Sequence, residues 1–133
     1  DTFIVGNTAT EGGGLSMGAS WGYIRDSEIS DNVADTGGGI SLNGYLQATA
    51  SKDAYTGIFG NTATEGGGLY FHEGSVLTSN QVDWGGEADK KTKEKSADNS
   101  PEDIAGTLLK NGPYSYGIEA SFTCDDKKGC TGE

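Results

Sequence analysis

The chain has 133 residues and a formal charge of −11, from 20 acidic and 9 basic residues, with 23 glycines and only 33% hydrophobic residues. Such an acidic surface repels nucleic acid and anionic membranes, so neither is an expected partner. No run of about 20 apolar residues is present, so this segment is not expected to insert in a membrane. Many glycines with two prolines fit tight turns between short strands, not collagen or Pro-rich disorder.

In chain order the first feature is an internal repeat. Residues 6–15 read GNTATEGGGL, and residues 60–69 read the same. Aligning on asparagine adds two weaker copies, so that Asn7, Asn32, Asn61 and Asn80 head four units. Three positions earlier stand Ile4, Ile29, Ile58 and Leu77, and two positions later Ala9, Ala34, Ala63 and Val82. Paired glycines follow: Gly12 and Gly13, Gly37 and Gly38, Gly66 and Gly67, Gly85 and Gly86. The eighth position is Leu15, Ile40, Leu69 and Ala88, and the tenth Met17, Leu42, Phe71 and Lys90.

Alternate residues of a strand share one face, so the eighth and tenth positions predict inward-facing columns. The glycines supply left-handed corners and let neighbouring turns approach closely. A buried asparagine needs partners for its amide. Stacked about 4.8 Å apart, Asn7, Asn32, Asn61 and Asn80 would form a structural ladder. The exposed columns Thr10, Asp35, Thr64, Asp83 and Glu11, Thr36, Glu65, Trp84 alternate acids with other residues, which keeps like charges apart.

The motifs IVGN, ISDN, IFGN and LTSN, with GGGL, GGGI and GGGL, resemble the polymorphic membrane protein repeat of chlamydial surface proteins, whose hallmarks are FxxN and GGA[ILV]. Ile or Leu replaces Phe here, the third Gly replaces Ala, and the fourth copy, GGEA, is degraded. The resemblance covers roughly residues 1–88. It implies an all-β, right-handed parallel β-helix of about four to five coils, as in extracellular surface proteins.

Residues 89–100 read as a charged surface loop. Ser100-Pro101-Glu102-Asp103 has the form of a helix start, predicting one short helix over about 101–110, with a final strand near 114–123. Together, residues 101–123 would make a capping helix and last strand. Cys124 and Cys130, in the 124–133 tail, read as a small disulfide loop in a secreted protein; free thiols, or partners beyond residue 133, are the alternatives.

The expected function is a structural or adhesive segment of a larger extracellular surface protein or filament. Its partners would be further coils, other protein chains or glycans, with no cofactor and no metal. The runner-up is a polysaccharide-binding or polysaccharide-cleaving β-helix, or an ice-binding solenoid. Asp35 and Asp83, about 9.5 Å apart if they share a column, are near the spacing of an inverting glycosidase pair. Alternation already explains that column, and Arg25 and His72 show no partner set, so no catalytic residue is assigned. Thr8, Thr10, Thr62 and Thr64 form Thr-x-Thr pairs, interrupted by Val33 and Asp35. Asp31 with Asp35, or Asp125 with Asp126, would be at most weak calcium ligands.

Overall fold

A computed structural model describes residues 2–85, 98–106, 109–117, 120–125 and 127–132. Each isoleucine three residues before a repeat asparagine centres a short strand: β1 (Phe3–Val5), β3 (Glu28–Ser30) and β5 (Gly57–Phe59). They pair in parallel, with Ile4, Ile29 and Ile58 in register.

The apolar residues after the glycines open three strands of a larger sheet, β2 (Leu15–Arg25), β4 (Ile40–Thr49) and β6 (Leu69–Phe71), and Ile104 opens a fourth, β8 (Ile104–Ala105), without preceding glycines. Their parallel registers stack Leu15, Ile40, Leu69 and Ile104 in one column, and Met17, Leu42 and Phe71 in the next. β7 (Val76–Val82) pairs in parallel with the second half of β4. β9 (Ala120–Asp125) runs antiparallel to β7, and β10 (Gly129–Gly132) antiparallel to β9. The core lies between the sheets, where Ile29, Ile40, Leu42, Ile58, Leu69, Phe71, Trp84, Ile104 and Phe122 are all buried.

The protein is therefore all-β, but the expected right-handed parallel β-helix is not its architecture. The larger sheet is mixed, because β9 runs antiparallel to β7, and it curls into a half-barrel. The short helix near 101–110 is also corrected, since no helix occurs among the described residues. Its would-be capping acids find tertiary partners instead. Glu102 Oε1 accepts the Gly66 N–H at 2.7 Å, and Asp103 accepts bonds from Asn99 and Tyr116. Backbone Ile104 exchanges two hydrogen bonds with Tyr114. A helix of ten residues has too little intrinsic stability to resist such pairings.

The fourth repeat is corrected as well. Leu77 aligns with Leu46 of β4, not with Ile58, so Asn80 sits in the larger sheet and is exposed. Trp84, expected on the exposed column, is fully buried; its indole N–H donates to Ser79 Oγ at 3.0 Å and its ring packs on Phe122. Gly85 donates its N–H to Asp83, and Gly86, Ala88, Lys90 and most of the 89–100 loop lie outside the described residues. Cys124 and Cys130 face each other across the β9–β10 hairpin and form a disulfide.

Candidate functional site

Three places in the fold concentrate polar chemistry. The first is an asparagine ladder. Asn32 Oδ1 accepts two bonds from Asn7, one from its backbone N–H at 2.9 Å and one from Nδ2 at 3.0 Å. Asn61 Oδ1 accepts the same pair from Asn32, at 3.0 and 3.1 Å. Asn99 Oδ1 accepts them from Asn61, again at 3.0 and 3.1 Å. The second amide hydrogens go to carbonyls across the stack: Asn32 to Ile4, Asn61 to Ile29, Asn99 to Ile58. Asn7, Asn32 and Asn61 thus stand together. Asn80 does not join them, and Asn99, which pattern reading passed over, takes the fourth place.

The ladder ends differently on its two sides. Beyond Asn99 lies Asp103, fully buried, whose Oδ1 accepts from Asn99 Nδ2 at 2.6 Å while Oδ2 accepts the Tyr116 N–H. Burial pushes its pKa from 3.8 up to about 7, against those two hydrogen bonds and aided by Asp98 and Asp83. At the other side Asn7 Oδ1 receives no hydrogen bond among the described residues.

A pH dependence follows from Asp103. Its folded pKa lies above its unfolded one, so between the two the native state holds a proton that the unfolded chain has released. The stabilisation is complete below about 3.8 and is lost as pH rises through about 7. Glu11 and Asp26, both shifted down, change their contribution only at more acid pH. The expected result is a steeper fall in Tm from pH 5 to pH 8 for the native chain than for Asp103→Asn. Parallel slopes in a calorimetric pH series would remove Asp103 as the cause.

The second place joins Glu11, Ser41 and His72, 61 residues apart from end to end. Glu11 Oε1 lies 2.6 Å from Ser41 Oγ and 2.7 Å from His72 Nε2, and Ser41 Oγ lies 2.9 Å from the same nitrogen. These are the residue types of a nucleophilic triad with different wiring. The Ser41 hydroxyl donates to the carboxylate. His72 Nε2 must carry a proton to face that carboxylate, which leaves no lone pair to activate the serine. The Ser41 hydroxyl, then the His72 imidazole, hold the Glu11 carboxyl below its usual range. The triangle ties a corner of the fold to the sheet. No local spacing links His72 to Glu11, so the sequence pattern offers His72 no partner.

The remaining sequence candidates scatter. Asp83 is buried, bridges to Gly57 and accepts the Tyr55 hydroxyl at 2.7 Å, whereas Asp35 is exposed between Thr10 and Thr64, so the two do not share a column. Thr8 and Thr62 flank Val33, 44% exposed, which interrupts a threonine face. Asp125 Oδ1 caps the hairpin turn by accepting the N–H groups of Lys127 and Lys128; Asp126 lies outside the described residues. Among the described residues no three His, Cys, Asp or Glu side chains are placed to hold a metal.

The third place is the outward face of the larger sheet. Leu46, Leu77, Phe122 and Cys124 point inward, so their strand neighbours point out. Cross-strand register arranges these in rows: Trp21, Tyr45, Val76 and Asp125; Tyr23, Gln47, Thr78, Thr123 and Thr131; Arg25, Thr49, Asn80 and Ser121. Trp21 is 67% exposed, and its ring lies parallel to that of Tyr45 with centroids 6.2 Å apart.

No protein-family model, curated protein or solved structure matches the chain.

Proposed function

We propose that this chain is a structural or adhesive segment of a larger extracellular protein or filament, joined to its neighbour by strand pairing along the edge made by β1 and β2. The open end of the asparagine ladder carries the reading. Each of the other ladder asparagines has its Oδ1 filled by the N–H and amide of the preceding one, and the exposed Asn7 Oδ1 is open to the same pair. Beside it, β2 offers an eleven-residue edge whose one charged side chain is Arg25. Long edges without charged residues invite pairing with another strand. Between β1 and β2 opens a hollow of about 400 Å³, into which Ile4, Leu15 and Ile24 show partly exposed apolar surface. A strand arriving with an asparagine would fill both vacancies. The repeat's resemblance to surface-protein repeats and the disulfide, which favours an oxidising compartment, point the same way.

Native material examined by denaturing gel, electron microscopy and hydrogen exchange tests the reading. A larger polypeptide or a filament is expected, with residues 15–25 protected compared with the isolated 133-residue chain. A discrete 13.7 kDa monomer whose β2 amides exchange as fast as in the isolated chain would overturn it.

A further inference from the structure

The outward face of the larger sheet differs in charge from the rest of the molecule. The chain carries 20 acidic residues and a net charge of −11, yet among the described residues the rows on this face hold one acid, Asp125, and one base, Arg25, whose guanidinium lies 3.5 Å from the Asp26 carboxylate beside them. Asp125 is moreover occupied by the backbone of the hairpin turn. The remaining positions are hydroxyls and amides (Gln47, Thr78, Asn80, Ser121, Thr123) beside three aromatic rings (Trp21, Tyr23, Tyr45). Single exposed apolar residues are ordinary, but Trp21, Tyr23 and the Tyr45 ring stacked on Trp21 gather exposed aromatic surface in one place, which marks a candidate contact site.

We propose that this face binds a neutral polysaccharide. The chemistry of the ligand selects it. A pyranose has an apolar C–H face, which stacks on a ring such as Trp21, and a rim of hydroxyls that both donate and accept. Gln47 and Asn80 supply amides, and Thr78, Thr123 and Tyr23 supply hydroxyls, at the roughly 4.8 Å spacing of neighbouring strands. These groups stand on paired strands, so little ordering entropy is lost when a ligand settles across them. Anionic glycans are disfavoured, because the molecule repels them and this face offers one guanidinium. A protein partner drawn by charge would find almost none to read. The proposal does not depend on edge pairing, since the face is complete within one chain.

Native gel electrophoresis through laminarin, galactomannan or xyloglucan, with polygalacturonate as the anionic comparison, provides the test. Retardation by at least one neutral polymer is expected, with little or none by polygalacturonate. Trp21→Ala should weaken retardation by about tenfold, and Tyr23→Ala in the same direction. Phe3→Ala, on the other sheet, should leave it unchanged. Trp84 is buried, so its emission reports whether each variant is folded, while a change in Trp21 emission on adding polymer reports contact at the site. Absence of retardation by all three neutral polymers, retardation unaffected by Trp21→Ala, or equal retardation by polygalacturonate would each overturn the proposal.

Discussion

Asn61→Ala should lower stability by roughly 3–5 kcal/mol, a fall in Tm of roughly 15 °C for a domain of this size. Asn61 is fully buried and serves four bonds at once. Its Oδ1 accepts from the backbone and side chain of Asn32, and its Nδ2 donates to Ile29 O and Asn99 Oδ1. Alanine removes all four partners and leaves the buried Asn32 N–H without an acceptor. A stranded buried group costs more than the net value of the bond it lost, about 1–3 kcal/mol each. Asn61→Asp would also destabilise, because an acceptor would then face the Ile29 carbonyl. Asn80→Ala is the internal comparison. That side chain is exposed and makes long contacts of 3.3 Å to Thr49 and Ser121, so its loss should cost no more than about 0.5 kcal/mol. Chemical denaturation of both variants separates the cases, and equal midpoints would mean that the ladder does not hold the repeats together.

Asn61 and Asn80 head equivalent motifs in the sequence, and their different fates show what pattern reading reaches. Residues 1–71 were legible because each unit there keeps the full length of eight residues from Asn61 to Leu69 or from Asn32 to Ile40, and burial enforces the register that the apolar columns announce. The fourth unit was not. Asn99 reaches its apolar partner, Ile104, in five residues, and the three glycines of the corner are missing. The Glu102 side chain takes over a hydrogen bond that a backbone carbonyl accepts in the longer units, and Asp103 Oδ1 stands where the next asparagine's Oδ1 stands in them. An asparagine followed at five residues by Ile104-Ala105 was the available signal, and it is too short to distinguish from a loop. Leu77-to-Val82 mimicked the repeat because Gln81, at a φ of 56°, shifts the register between Ser79 and Val82, so that two apolar residues five apart both face inward. The reversal at β9 and β10 escaped for a related reason: Phe122 and Cys124 declare an inward face but not a strand direction. For the candidate sites the limit was distance along the chain. Rows such as Tyr23, Gln47, Thr78 and Thr123 join four separate strands, and only registers can assemble them.

Gly38→Ala is expected to abolish folding, although its backbone lies outside the left-handed region. A Cβ there would come within 2.6 Å of two backbone oxygens, Gly67 O and Thr62 O, and 2.8 Å of the Thr62 carbonyl carbon. Neither oxygen is free to retreat. Gly67 O accepts from Gly39 N–H at 2.9 Å, and Thr62 O accepts from Ala34 N–H at 3.0 Å. Relieving the clash would break the bonds that join one unit to the next, on both sides of the corner. The cost exceeds about 4 kcal/mol, a large part of the stability of a domain of this size. Its neighbour Gly37 is barred from alanine for a second reason, a φ of 62° combined with the Ile40 carbonyl at 2.2 Å from the added carbon. Gly18→Ala gives the contrast, since nothing lies within 4 Å of the added methyl. That variant should express and unfold at nearly the native temperature, whereas Gly38→Ala should yield no cooperative transition by circular dichroism. A Gly38→Ala protein that melted like the native chain would mean that neighbouring units are not packed backbone to backbone, and the ladder, the apolar columns and the outward rows would all lose the spacing on which they depend.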